Sequence, residues 1–377
     1  MTAHRAQRLK IESIETTVLD IPLVRPHVTS VGRIEKQSIA LVRVRTTDGL
    51  EGIGEAVVPG GPWWSGDTIE GVEVLIRRYL APLLIGEDAS RIDFQFQRLN
   101  KLIPGAAFAK AGLEMALWDL LGKNLGLPVY QLLGGTHRRK LAVTWALGAD
   151  SPEIVAEEIQ RKLAEGSHIS FKLKMGKSEP ATDVARIADI CRRIPDGTPL
   201  AVDLNGAWDE STARRWIPVL SEAGISLIEQ PVARWDLEGL SRLTQISTAR
   251  IMADESLLDV RDALNLAHSR VANVFALKLA KSGGIREVQR IGSIAEAYGV
   301  ACYGGTTIES SLGTAAAVHA FCACGSITAG TELFGPLLLT DDIVEEPVRY
   351  SDGYVHLNDG PGLGVILDER KVAMYSR

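Results

Sequence analysis

Hydrophobic and polar positions along this chain follow two rhythms, and the change falls near residue 140. Before it, Ile11–Leu19 and Ser38–Thr46 alternate or run β-branched, which predicts antiparallel strands. Asp48-Gly49 is a hairpin turn signal between Arg43-Val44-Arg45 and Glu51-Gly52-Ile53-Gly54-Glu55. A loop of Pro59-Gly60-Gly61-Pro62-Trp63-Trp64-Ser65-Gly66 follows. Helical periodicity then runs over Thr68–Leu84 and Ala107–Asn124, and Gly126 and Pro128 stop the second helix.

Beyond residue 140, short apolar runs alternate with amphipathic stretches. The runs are Leu141–Leu147, Ser170–Met175, Leu200–Leu204, Ser226–Glu229, Ile251–Ala253, Val274–Leu279, Val300–Tyr303 and Ser326–Ala329. Their spacing is roughly 25 to 30 residues, one strand-plus-helix unit. Eight such units predict a parallel barrel, and no Gly-x-Gly-x-x-Gly follows a strand to suggest a dinucleotide fold. The expected fold is therefore α/β: an N-terminal α+β capping domain over residues 1–135 and a modified TIM-type (β/α)7β barrel over 136–343. A strand-and-turn segment over 344–377, containing Pro361-Gly362-Leu363-Gly364, is expected to return to the cap.

Composition acts mainly by exclusion. The chain has 377 residues, enough for one large barrel and a smaller domain. A net charge of −6 with no long basic run argues against nucleic acid. No apolar run reaches about 18 residues, so no membrane span is expected. Met1–Lys10 lacks a following apolar segment, so a cytoplasmic chain is expected. Cys191, Cys302, Cys322 and Cys324 form no CxxC pair and read as reduced thiols.

Candidate chemistry lies at the ends of the barrel strands, where barrels of this kind place their active sites. Asp203, Glu229 and Asp254 end three consecutive strands. Three uncompensated carboxylates at one side of a barrel mouth would repel one another, and a hard cation removes that cost. An all-oxygen donor set favours Mg²⁺ or Mn²⁺. The alternative for any one acid is a helix cap, as Asp254-Glu255-Ser256 could be.

In Phe171-Lys172-Leu173-Lys174-Met175 the lysines alternate with apolar residues. The helix-facing side of a barrel strand is apolar, so both ammonium groups are predicted to point into the lumen. Crowding there is expected to lower their pKa values and suit them to proton transfer. Lys278 ends the sixth run, roughly across the lumen, and Glu309 follows the seventh. Glu309 could position a lysine or, if protonated, hydrogen-bond an enolate. Cation and lysines together suit a carboxylate substrate whose neighbouring proton is moved, through a stabilised enolate. The Pro59 to Trp64 loop is a candidate lid, with Trp63 and Trp64 as a water-excluding wall or as interface packing.

At these positions the chain resembles the enolase superfamily, in its muconate lactonizing enzyme subgroup. The resemblance rests on Lys172-x-Lys174, Asp203-Leu204-Asn205, Glu229-Gln230-Pro231, Ala253-Asp254-Glu255-Ser256 and Lys278, and it covers essentially the whole chain. Val57–Trp64, Tyr303-Gly304-Gly305-Thr306 and Gly330–Leu339 are most similar to muconate cycloisomerases. The resemblance implies conversion of cis,cis-muconate to muconolactone in aromatic-compound degradation. It implies Asp203, Glu229 and Asp254 as metal ligands with Asn205 beside them, and Lys174 as the proton carrier. Lys172 would support Lys174, Lys278 would face the other side of the enolate, and Glu309 would be an acid or its support. A small dicarboxylate is the implied partner, and family members often form octamers, which implies a homo-oligomer.

The same scaffold also hosts chloromuconate cycloisomerases, dipeptide and N-acylamino acid epimerases, and o-succinylbenzoate synthases. Gly330-Thr331-Glu332-Leu333 stands where dipeptide epimerases usually carry Asp-x-Asp, which disfavours that alternative. Ser310 stands where family members often have Gly, which leaves chlorinated muconates open. The side of addition, syn or anti, also stays open.

Overall fold

In the computed structural model, which describes residues 9–28, 33–148 and 150–377, the change of rhythm is a change from antiparallel to parallel pairing. Strands β1 (Ile11–Val28), β2 (Arg33–Thr46) and β3 (Glu51–Val57) form an antiparallel sheet in that order. The Asp48-Gly49 turn joins the last two: the Gly49 N–H donates to the Thr46 carbonyl at 2.9 Å, with Gly49 at φ +85°. The helix Ala107–Leu125 lies directly on β3. A Cβ at Gly52 or Gly54 would fall 2.1 Å from the carbonyl oxygens of Ala116 or Gly112, so only glycine permits this approach. Thr68 caps the preceding helical stretch by accepting from the Gly71 N–H at 3.0 Å. A further helix, Ile92–Leu102, was not expected; only Ile92, Gln95, Phe96 and Leu99 on it are buried.

The barrel begins later than the first apolar run predicts. That run splits into β4 (Lys140–Ala142) and β5 (Trp145–Leu147), and β4 belongs to a different sheet. The barrel proper is β5, β6 (Phe171–Lys174), β7 (Leu200–Asp203), β8 (Ile225–Glu229), β9 (Arg250–Ala253), β10 (Val274–Leu277), β11 (Ala301–Gly304) and β12 (Ile327–Thr331), all parallel. Val143, just before β5, bridges Thr331 at the end of β12 and closes the ring. Helices follow seven strands, and only the short turn Gly335–Leu338 follows the eighth: a (β/α)7β barrel.

Phe171 and Leu173 of β6, with Met175 just beyond it, pack into the main core. The lumen floor is Ala201, Leu227, Met252, Ala276 and Tyr303, and the lysines of β6 lie on this inward side. The tail first adds β13 (Tyr350–Ser351) and β14 (Tyr354–His356) to β4. It then reaches the cap: Leu363 N donates to Asp119 Oδ1 at 2.9 Å, and Arg377 Nε donates to Asp20 at 2.8 Å. Cys302, Cys322 and Cys324 are buried, Cys191 is half-buried, and all four are free thiols. No helix among the described residues is long and apolar enough to cross a membrane.

Candidate active site

The strand ends bring the predicted residues together. Lys174 pairs in register with Asp203, and Asp203 with Glu229. Glu229 aligns with Met252, two residues before Asp254. Gln230, at φ +37°, locks the last two ends: its Oε1 accepts from the N–H groups of Asp254 (3.0 Å) and Ser256 (3.2 Å), and its Nε2 donates to Ser256 Oγ at 2.8 Å. Lys278 follows β10, four strands from β6 in a ring of eight, and so faces Lys172 and Lys174 across the lumen. All three ammonium groups are buried.

The acids do not stand as an assembled three-carboxylate cluster. Among the described residues no three acid, thiol or imidazole groups are so gathered. The lysines supply the compensating charge instead. Lys174 pairs with Asp203, Lys172 donates to Glu229 Oε2 at 2.8 Å, and Lys278 donates to Asp254 Oδ2 at 2.6 Å. A fourth amine, Lys281, donates to Asp254 Oδ1 and to its backbone carbonyl at 2.6 and 2.7 Å.

Asn205, in the left-handed region at φ +46°, ties this row together. Its N–H donates to Asp203 Oδ1 at 2.9 Å, its Nδ2 donates to Glu255 Oε1 at 2.9 Å, and its Oδ1 accepts from Lys174 Nζ at 3.4 Å.

Two further acids complete the charge balance. Glu332, just beyond β12, forms an ion pair with Lys172. Glu255 is the other. Asp203, Glu229, Asp254, Glu255 and Glu332 thus face Lys172, Lys174, Lys278 and Lys281, a surplus of one acid. Glu229 Oε1 is buried with no hydrogen-bond partner. Burial and then the Asp203 charge push the Glu229 carboxyl up to about 8. The surplus acid, the unpartnered oxygen and the all-oxygen donors fit a hard divalent cation held by Asp203, Glu229 and Asp254.

Lys172 departs from the lowered pKa expected of crowded amines. Burial disfavours its charge, but Glu229 and Glu332 outweigh burial and hold the ammonium well above the usual lysine range. Lys278 is raised in the same way, burial being overcome chiefly by Asp254. Asp254 in turn lies below the usual carboxylate range, because Lys278 and Lys281 outweigh its burial.

Glu309 is held by its own loop. It is buried, but its carboxylate accepts from the Thr307 N–H at 3.0 Å and from the hydroxyls of Thr306 and Thr307. Its own loop occupies its oxygens, and the acid beyond the last barrel strand that pairs with a lysine is Glu332. The Glu309 loop is itself anchored to the cap: buried Glu55 of β3 accepts from the N–H groups of Ser310 (3.0 Å) and Gly313 (3.1 Å) and from the Ser310 hydroxyl.

Over the lysines lies a cleft of about 80 Å³. Lys174, Asn205 and Lys278 line it from the barrel, with Thr306 and Ile308 beside them. Pro59, Trp63, Trp64, Ile34 and His27 line it from the cap. Gly60, at φ +63°, lets the lid loop press onto Ile34, where a Cβ would fall 2.3 Å from that side chain. Trp64 both walls the cleft and packs the interface. Its indole N–H donates to Glu255 at 3.0 Å, its ring meets Phe108 edge-on, and Lys278 Nζ lies 5.6 Å from its centroid. Trp63 is largely exposed.

The profile described as enolase C-terminal domain-like matches residues 154–371. That of the mandelate racemase / muconate lactonizing enzyme N-terminal domain matches residues 13–134. The chain belongs to the enolase superfamily. Enolase-superfamily relatives similar to it include muconate cycloisomerase 1 of Pseudomonas putida, 46% identical over 97% of this chain and 98% of the relative. A chloromuconate cycloisomerase of Cupriavidus necator is 41% identical over 98% of this chain and 100% of the relative. The crystal structure of a muconate lactonizing enzyme from Pseudomonas fluorescens, complexed with muconolactone, superimposes with a TM-score of 0.96 at 45% identity, covering 98% of this chain and 100% of that one.

Sequence reasoning missed Glu332, Lys281 and His27, and gave Glu255, though read at a strand end, no role in the site. The spacing Lys278-x-x-Lys281 was a usable signal, since one helical turn brings such residues to the same side.

Proposed function

We propose that this chain is a muconate cycloisomerase that adds one carboxylate of cis,cis-muconate to the conjugated double bond, forming muconolactone. The observation that carries the reading is the opposition of buried lysines across the lumen, Lys172 and Lys174 against Lys278, with three strand-end acids between them. In the reaction an oxygen–carbon bond forms, the π electrons pass into the second carboxylate as an enolate, and the carbon beside it takes a proton. Mg²⁺ or Mn²⁺ held by Asp203, Glu229 and Asp254 would supply positive charge against the enolate.

The chain's own groups do the rest. Lys174 faces the cleft and delivers the proton. Lys172, fixed between Glu229 and Glu332, contributes a permanent positive charge. Lys278 faces the enolate from the other side. Trp64, Pro59 and Ile308 exclude water, so the enolate is protonated by lysine and not by solvent.

The pathway implied is the breakdown of aromatic compounds. Chlorinated muconates are the second substrate class, favoured by the likeness to chloromuconate cycloisomerases at 41% identity. The test is loss of the ultraviolet absorbance of cis,cis-muconate with and without Mn²⁺, repeated with 2-chloromuconate. Metal-dependent loss is expected. No loss with either substrate would reject the reading.

A further inference from the structure

The cap sends one polar side chain into the cleft that the reaction described so far does not use. On β1 the pairing with β2 slips between Pro22 and His27, and His27 is re-paired with Ile34. Over the slipped stretch β1 reaches across to the barrel. Arg25 Nη2 donates to the Ala146 carbonyl of β5 at 2.9 Å and lies 3.8 Å from Glu158. This anchor fixes His27 over the barrel mouth, where it lines the cleft with Lys174 and Lys278. The imidazole is only 6% exposed, and its Nδ1 is buried with no hydrogen-bond partner among the described residues. Buried polar atoms are rarely left so, and an unpartnered one facing a ligand cleft marks a contact for the ligand. Burial and then the Lys174 charge push the ring down to about 3, so at neutral pH it is uncharged, with one N–H donor.

We infer that His27 is a substrate-binding residue that donates a hydrogen bond to the attacking carboxylate of muconate. The inference rests on the cycloisomerase reading. The two carboxylates of that substrate have opposite needs. The one that becomes an enolate gains charge, and the lysines serve it. The one that attacks loses its charge as its oxygen bonds to carbon. A cation on the attacking carboxylate would stabilise it most before reaction and so raise the barrier. A neutral donor orients it with a smaller penalty, because hydrogen bonds to an uncharged partner are weaker. Among the described residues, no other cap residue in the cleft meets this need as well. Ile34 and Pro59 have no side-chain donor, the Trp64 N–H is committed to Glu255, and Trp63 is 63% exposed. His27 neither gives nor takes a proton in this scheme.

The test uses the metal-loaded full chain with His27→Phe, which keeps the bulk and removes the donor, and His27→Gln, which restores an N–H. With cis,cis-muconate, His27→Phe is expected to raise KM by roughly 10- to 100-fold, the worth of one hydrogen bond to a charged group, while kcat stays within about twofold. His27→Gln is expected to recover most of the lost KM. A packing role would lower kcat in both variants without rescue by Gln, and that pattern overturns the proposal, as does an unchanged KM in His27→Phe. If His27→Phe does not fold, His27→Ala is read by the same criteria. Wild-type turnover with an indifferent His27→Phe variant rejects the role of His27 alone. A wild type inert toward muconate rejects the cycloisomerase reading, and this assignment falls with it.

Discussion

Removing the Lys172 ammonium by Lys172→Met should destabilise the protein far more than removing the whole ion pair. Lys172 is buried between Glu229 and Glu332, both also buried. Without it, Glu332 keeps a charge with no partner in a low-dielectric interior. Breaking a buried pair from one side costs about 3–5 kcal/mol, whereas replacing both partners by apolar groups of similar volume is close to neutral. Unfolding entropy near 2.1 cal/mol/K per residue makes 1 kcal/mol worth about 1.3 °C in Tm for 377 residues. Lys172→Met should therefore lower Tm by about 4–6 °C, while Lys172→Met with Glu332→Met should recover most of that loss. The assay is scanning calorimetry at pH 7 on wild type, both single variants and the double, with turnover measured in parallel. Turnover should fall about 100-fold or more in both variants that lack Lys172, so stability returns in the double without activity. A double variant as unstable as Lys172→Met would refute the claim that unpaired charge is the cause.

Lys174→Ala is expected to abolish turnover of cis,cis-muconate while Mn²⁺ still binds, checked by calorimetric titration; full activity would exclude it as the proton carrier. Asp254→Asn should weaken Mg²⁺ or Mn²⁺ affinity by about tenfold or more, and an unchanged binding isotherm would remove Asp254 from the ligand set. Glu114, buried against the N-terminus of helix Ile285–Tyr298, is raised by burial to about 8 from its ordinary 4.5. Between those values the folded chain holds a proton that the unfolded chain has released, so this group makes stability fall as pH rises from 4.5 to 8. Glu114→Gln should flatten that decline in urea midpoints, and an unaltered slope would show that Glu114 does not carry it.

The barrel was legible because its strands leave a strong trace: apolar runs at regular spacing, five of which lead into an acid or a lysine. Lys172 and Lys174 could be aimed inward from alternation alone, since Phe171, Leu173 and Met175 had to face the helices. What the chain concealed was partnership. Alternation gives direction but not which acid meets which amine, so the pairs Lys174–Asp203, Lys172–Glu229 and Lys278–Asp254 could not be read from it. Glu309 was legible as a strand-end acid, but Thr306 and Thr307, its near neighbours, take its oxygens. Glu332 sits in Gly330-Thr331-Glu332-Leu333, which reads as a motif and not as one half of an ion pair with a lysine two strands round the ring. His27 is a single histidine in an 18-residue strand, and only the register slip after Pro22 turns it toward the barrel.

The return of the tail sets an order of assembly. Leu19 bridges Ser376, Asp20 is held by Arg377, and Asp119 is capped by Leu363, so the sheet that carries the lid draws some of its neighbours from residues 344–377. A ribosome releases those residues only after all eight barrel strands have been made. The roof of the reactive chamber can therefore gain these last ties only after its walls have been made.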